Sequence, residues 1–462
     1  MKGNNMKDIV FYRELKILIN GVRSYGIEHC SYKNMASLMA DSDKRKDFTV
    51  QVHKGFFIAQ KNAIFLLRKI LKEQKLLNVD LKQARREKNK DKIHEIDDLI
   101  KKAKYQEMVV RKSMDSIAWQ LFNYDITVMR RLYYGQELID ITDSNLDSEL
   151  YYIDEYVKEN PEGFVLISDL TSFIQVGDIV TFTPQKGLQI GELKAGKTNY
   201  EMFQIIENIV KENCPNYLIS ELNKLDKKKK EQLSRDIRQI DRSIKTCKTI
   251  NEGKGIDLFT GLSVTIDKDE IPLGTFDHTV NELLEKCTKK GHAISVIEGC
   301  LLIGVYETEK FPSIAFEAWA KGLGINMPIV DFRQTMFDPL GYPIFLQPFK
   351  EDYILDIIQG KKVVKMTIDI NAWMRTFEND RIKWRWLSEK ETARINSKFK
   401  GKSGIFSLEK KGIEIENENG VKQYIGEGVF SRIFTGFNTP SSIKKLLIAI
   451  MEKGESELYN EK

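Results

Sequence analysis

The chain has 462 residues, 42% of them apolar, enough to bury a large core and to build two or three domains. Charged residues make up 30%, yet the net charge is only +5, so any nucleic-acid-binding surface must be local rather than global. Five scattered cysteines (Cys30, Cys214, Cys247, Cys287 and Cys300) form no Cys-x-x-Cys pair, which argues against a disulfide scaffold or structural zinc site and suits a reducing cytoplasm.

The first 14 residues carry charges of both signs without an apolar core, unlike a secretory signal. From Phe56 to Tyr134 there is neither Gly nor Pro, which speaks against turns and sheets. Ile93, Ile96, Ile100, Ala103, Val110, Met114, Ile117 and Leu121 follow steps of three and four, and Ile70, Leu77, Leu81 and Ala84 mark an earlier apolar stripe. The polar segment 85–92 lies between them. Two readings stay open there: a coiled-coil-like antiparallel hairpin turning at that segment, or one continuous coiled coil. Residues 1–135 are thus an N-terminal helical arm, suited either to homo-oligomerisation and partner binding or to packing on its own chain.

After Gly135 the pattern changes. A helix is expected over 143–158, stopped by Asn160-Pro161, then apolar strands at 164–168, 176–183 and 188–194. Residues 184–187, Pro-Gln-Lys-Gly, make a turn, so the last two strands form an antiparallel hairpin. Helices follow at 200–212 and 226–248, then one near 280–289 leading into apolar strands over 293–306. That last run is broken by Glu298 and too short to span a bilayer, so no membrane partner is expected. From 307 to 462 the chain is a further α/β region whose role is not readable, ending in a helix announced by Thr439-Pro440.

Gly191-Glu-Leu-Lys-Ala-Gly-Lys-Thr198 carries two incompatible chemistries. As G-x-x-x-x-G-K-T it is a P-loop, with Lys197 on a nucleotide phosphate and Thr198 on Mg²⁺. As Glu192-x-Lys194 it is half of a metal site: both side chains leave one face of a strand, and Asp178, on the neighbouring strand, can be paired beside Glu192. Two carboxylates make a hard-oxygen site for Mg²⁺ or Mn²⁺, and Lys194 supplies the cation that a phosphodiester's growing charge requires. Against the P-loop, Glu192 and Lys194 sit in an anion nest that wants small residues, and its strand belongs in a parallel sheet.

With Asp178, Glu192 and Lys194 in this order, residues 143–306 resemble the PD-(D/E)xK, or restriction-endonuclease-like, nuclease superfamily. The resemblance implies a mixed α/β core running helix, three strands, helix, strand, with Asp178 and Glu192 as metal ligands and Lys194 as the catalytic lysine. Gly177 stands where the family name has proline. Members often add an acid from the first helix, for which Glu149, Asp154 and Glu155 are candidates, and Gln204, Gln232 and Gln239 are candidates to position substrate. The implied activity is metal-dependent hydrolysis of nucleic acid, DNA ahead of RNA, in a restriction-like or phage-defence setting. The alternatives are a non-catalytic binding module of the same fold and the P-loop hydrolase.

The helix expected at 226–248 adds a surface for such a substrate. Leu233, Ile237, Ile240, Ile244 and Cys247 form its apolar stripe, and Lys228, Lys229, Arg235, Arg238, Arg242 and Lys245 are its candidate nucleic-acid contacts. From Lys224 to Lys248 ten basic residues face four acidic ones, an excess that accounts for the whole net charge. Five histidines show no ligand spacing. Lys383-Trp-Arg-Trp386 reads either as a base-stacking platform or, in preference, as a strand with its tryptophans turned inward.

Overall fold

The run without glycine or proline folds into two long helices. The computed structural model describes residues 2–30, 35–142, 146–183, 187–193, 205, 220, 225–266, 271–325, 327–398 and 404–460. The chain divides into two compact units, Met1–Ile266 and Asp267–Lys462. Among the described residues helix predominates, and the sheets are small and antiparallel. No described helix is long and apolar enough to cross a membrane.

The first unit opens with α1 (Lys2–Arg23), α2 (Tyr25–His29), α3 (Met35–Ala40), α4 (Ser42–Arg86) and α5 (Lys90–Leu121). At 1.5 Å per residue, the 45 residues of α4 reach about 67 Å. The chain reverses at 87–89, where Lys88 takes a φ of 54° and Asn89 caps α5 by accepting from Lys92 N–H at 3.1 Å. The hairpin alternative therefore holds over the continuous coil, zipped near its tip by Leu81, Ala84, Ile96 and Ile100. Where α1 crosses α4, a Cβ on Gly21 or Gly55 would meet the other's carbonyl oxygen at 2.7 or 2.6 Å, so only glycines allow that approach. The second half of α5 is different: residues 109–119 are buried on every side, Arg111, Lys112 and Asp115 included.

The rest of the unit is α6 (Ile126–Arg131), α7 (Leu146–Glu159), β1 (Phe164–Ile167), β2 (Ile179–Thr183), β3 (Gly187–Gly191), α8 (Lys227–Glu252), β4 (Lys254–Ile256) and β5 (Ser263–Thr265). Strands β1, β2 and β3 make one antiparallel sheet in that order. The outer edge of β1 is closed by a side chain: Gln60 of α4, fully buried, donates to Val165 O at 3.0 Å and accepts from Ile167 N–H at 2.9 Å. Along β3 runs α8, whose Asn251 donates to Leu188 O. The helix expected at 200–212 lies, but for Ile205, outside the described residues.

The second unit contains α9 (Asp277–Lys290), β6 (His292–Ile297), β7 (Leu301–Glu307), α10 (Pro312–Gly322), β8 (Val330–Asp331), α11 (Glu351–Ile358), β9 (Lys362–Ile368), α12 (Ile370–Glu378), β10 (Lys383–Trp386), α13 (Glu389–Ser397), β11 (Ser407–Leu408), β12 (Lys411–Glu416), β13 (Lys422–Tyr424), α14 (Glu427–Phe434) and α15 (Pro440–Asn460). One sheet runs β6-β7-β9-β8; the other centres on β12, flanked by β10, β11 and β13. The expected 143–306 core differs here. Its last strands, β6 and β7, leave the β1–β3 sheet and pair instead within the second unit, β7 matching β9 from Leu301↔Ile368 to Glu307↔Lys362. A nearly all-buried strand such as β7 needs partners on both edges, and β6 and β9 supply them. In β10 the tryptophans are half-buried, with Trp384 donating to Glu378 and Trp386 to Asn371, while Arg385 bridges Glu391 and Glu414.

One histidine of α4 sets a pH limit on the first unit. His53 lies among the rings of Phe56 and Phe164, with centroids at 6.2 and 5.2 Å, and burial holds its pKa down to about 4. Unfolded, the imidazole titrates near 6.5, so below that pH the unfolded chain takes the proton first. Stability contributed by the neutral ring is complete above about pH 6.5 and declines by about 2–3 kcal/mol towards pH 4. Denaturant unfolding of His53→Phe should show that decline flattened relative to the wild type.

Candidate active site

Three strand ends meet around Asp178. Its carbonyl accepts from Ser168 N–H at 2.9 Å, where β1 runs into a 3-10 turn (Ser168–Leu170), and its own N–H donates to Gly191 O at 2.9 Å, at the end of β3. Those two bonds put Asp169 and Glu192, the residues following Ser168 and Gly191, at the same end of the sheet as Asp178. The Asp178 carboxylate is oriented in turn by Leu193 N–H, which donates to Oδ2 at 2.6 Å. Before it, Gly177 has a φ of +68°, and a Cβ there would sit 2.3 Å from the Ile190 side chain, so the bend that delivers Asp178 needs glycine.

A cleft of about 110 Å³ opens at this end of the sheet. Asp169, Asp178 and Glu192 line it from the strand side, and Gln239, Arg242 and Ser243 of α8 from the other. The segment 136–139 and Gln175 complete the wall. The floor is braced by the buried charges of α5. Arg111, 1% exposed, donates to the carbonyls of Asp169, Thr171 and Ile139 and pairs with Glu107 at 2.9 Å. Asp115, fully buried, pairs with Lys112 at 3.0 Å and accepts from the Ser172 N–H and hydroxyl at 2.7 and 2.5 Å. Buried charges persist only when so paired, and removing one partner costs about 3–5 kcal/mol. The loop carrying Asp169 is thereby fixed to the buried stretch of α5.

The acids press on one another. Burial first, then the charges of Asp169 and Asp178, push Glu149 of α7 up to about 8, against a smaller opposing effect of Arg68. Burial and Asp178 raise Asp169 to about 6, with Arg111 opposing. Of the three first-helix candidates, Glu149 is the one coupled to the cleft acids; Asp154 and Glu155 are exposed, and Glu155 pairs with Lys158 at 2.7 Å. Glu149 Oε2 is buried without a hydrogen-bond partner among the described residues.

Hard carboxylate oxygens crowded into one cleft are the donor set that Mg²⁺ or Mn²⁺ takes. Among the described residues no group of three or more His, Cys, Asp or Glu converges as a ready cage. The coupling that raises Glu149 and Asp169 acts over longer distances than metal–oxygen bonds. The donor chemistry therefore fits a divalent cation.

Of the residues expected from sequence, Asp178 and Glu192 come together. Lys194 lies outside the described residues, as do Gln204 and Gly196, Lys197 and Thr198 of the P-loop pattern. Strand β3, which that pattern would follow, pairs antiparallel with β2. Of the basic candidates on α8, Arg242 reaches the cleft. Lys228, Arg235, Arg238 and Lys245 are exposed and Lys229 is half-buried; Arg238 donates to Ser234 O at 3.1 Å and Lys245 pairs with Asp241 at 2.7 Å. Gln239 also lines the cleft. Asp169 and Arg111 were not anticipated. The available signal for Asp169 was an acid two residues after a four-residue apolar strand; nothing in the sequence sets Arg111 apart from the other basic residues of its helix.

Because the folded pKa of Glu149 is raised, its contribution to stability is present below about pH 4.5 and is lost as the pH rises towards 8. Glu149→Gln, unfolded by denaturant in EDTA, should be more stable than wild type by about 1–2 kcal/mol at pH 8 and nearly equal at pH 5.

Neither a protein-family model, nor a curated protein, nor a solved structure matches this chain, so the site is read from its own geometry and chemistry.

Proposed function

We propose that the chain is a metal-dependent phosphodiesterase that hydrolyses nucleic acid, DNA ahead of RNA, with a PD-(D/E)xK-type site in its first unit. The observation that carries this reading is the gathering of Asp178 and Glu192 beside Asp169 at one end of a three-strand antiparallel sheet, in a cleft whose facing wall is the basic helix α8. A phosphodiester is anionic, so carboxylates alone repel it; a cation among the carboxylates and a guanidinium opposite reverse that repulsion.

Asp178 and Glu192 would hold Mg²⁺ or Mn²⁺, with Asp169 and Glu149 near enough to feel its charge. Bound there, the ion supplies polarisation of a phosphate oxygen, acidification of a water and stabilisation of the leaving oxygen. The residues of the chain do the rest. Leu193 N–H keeps the Asp178 carboxylate in one orientation. Lys194, two residues beyond Glu192, is assigned the orientation of the attacking water and the neutralisation of charge on the phosphoryl group. In the net step the water oxygen bonds to phosphorus, the ester P–O bond breaks, and the leaving oxygen takes up a proton as the water gives one up. A phosphate monoester and a hydroxyl result, with no change of oxidation state.

Two features depart from the family pattern. The sheet ends at three strands among the described residues, with Gln60 closing the edge of β1. Gly177 has a positive φ that proline, fixed near −65°, cannot adopt. The reading rests on the site rather than on a whole-core match.

Purified protein with Mg²⁺ or Mn²⁺ should nick plasmid DNA or degrade RNA. Glu192→Ala, Asp178→Asn and Lys194→Ala should each slow this by about 100-fold or more. Undiminished cleavage by Glu192→Ala would contradict the assignment. Salt-sensitive binding without cleavage under any metal points to the binding module, and nucleotide turnover lost in Lys197→Ala points to the P-loop hydrolase.

A further inference from the structure

An arginine that serves structure spends its donors on the protein. Arg111 does so, with three carbonyls and a carboxylate around its guanidinium. Arg242, on the opposite wall of the same cleft, does not: it is half-buried, and among the described residues it makes no hydrogen bond and no ion pair. Its one described contact is with the face of Tyr134, 4.8 Å from the ring centroid. Stacking of that kind restrains the plane of a guanidinium while leaving its edge donors uncommitted.

The platform under it is itself held. The Tyr134 hydroxyl bonds Thr246 of α8 at 2.8 Å, one helical turn beyond Arg242. Tyr134 N–H donates to Gln175 Oε1 at 2.8 Å; the same oxygen accepts from Gln136 N–H at 3.0 Å, and Gln175 Nε2 donates back to Gln136 O at 2.7 Å. Gln175 lies three residues before Asp178, so one side chain ties the Tyr134 platform to the loop that delivers the carboxylate.

We infer that Arg242 is the phosphate-binding residue of the cleft, its planar fork taking two non-bridging oxygens of the phosphodiester held against Asp178 and Glu192. Arg242, Asp178 and Glu192 line the same cleft of about 110 Å³. The fork geometry matches phosphate bidentately, which a lysine cannot reproduce. Arg235 is seven residues earlier, nearly two turns, and so continues the same stripe out of the cleft along the exposed helix. This assignment rests on the phosphodiesterase reading for the reaction, although the anion site itself stands on geometry alone.

The test uses the full chain as wild type, Arg242→Ala and Arg242→Lys, with far-UV circular dichroism as the folding check and Arg242→Gln in reserve should the alanine variant not fold. In Mg²⁺-dependent cleavage of a labelled oligonucleotide, Arg242→Ala should lower kcat/KM about 100-fold, and Arg242→Lys should recover a minority of it. Independently, 10 mM inorganic phosphate, against chloride at matched ionic strength and with Mg²⁺ present in both, should raise the Tm of the wild type by about 2 °C and leave Arg242→Ala unmoved. Wild-type kcat/KM in Arg242→Ala overturns the proposal, as does a phosphate shift equal in both proteins or absent from both. If the wild type cleaves nothing under any metal, the phosphodiesterase reading has failed, and the phosphate shift alone decides the anion site.

Discussion

The backbone of Asp178 holds the first unit's chemistry in register. Its carbonyl accepts from the end of β1 and its N–H donates to the end of β3, so one residue ties three strand ends together. Because side chains alternate along strands, a slip of one residue in either pairing would turn the acids away from one another. Gly177 makes the bend possible, and Leu193 N–H completes it by fixing the carboxylate. Behind this junction the loop of residues 168–172 is bonded to Arg111 and Asp115, charges buried within α5. The helical arm and the sheet are therefore one structure at this point: the helix that forms half the hairpin also forms the floor of the cleft.

That arrangement has an electrostatic cost. Glu149 and Asp169 are raised to about 8 and about 6 because burial and neighbouring carboxylates disfavour their charged forms. A chain selected for stability alone would place amides or apolar groups there. Paired titratable groups pushed away from their ordinary values in a cleft are a common mark of function. Opposite them α8 carries the chain's excess of positive charge, and Arg242 on its cleft face makes no hydrogen bond or ion pair among the described residues.

Parts of this were legible in the sequence for local reasons. The absence of Gly and Pro over 56–134 and the polar gap at 85–92 mark the helical hairpin, and Pro184 to Gly187 marks the strand reversal that brings Asp178 and Glu192 together. What escaped was non-local. The strands expected at 293–306 looked like the close of the central core, yet β7 pairs with β9, some sixty residues on, and no local pattern announces that partner. Asp169 was hidden because a turn, not a strand, presents it, and Arg111 because a helical charge at regular spacing reads as solvated. The choice among Glu149, Asp154 and Glu155 is a matter of helix rotation against β1, which packing decides and spacing does not.

The central claim is that the end of the β1–β3 sheet binds a divalent cation between Asp178 and Glu192. Electron paramagnetic resonance of Mn²⁺ titrated into the purified full chain reads this without reference to substrate. The account predicts saturable binding near one ion per chain, weakened by about tenfold or more in Asp178→Asn and in Glu192→Gln. Absence of binding, or binding that both substitutions leave unchanged, would contradict it.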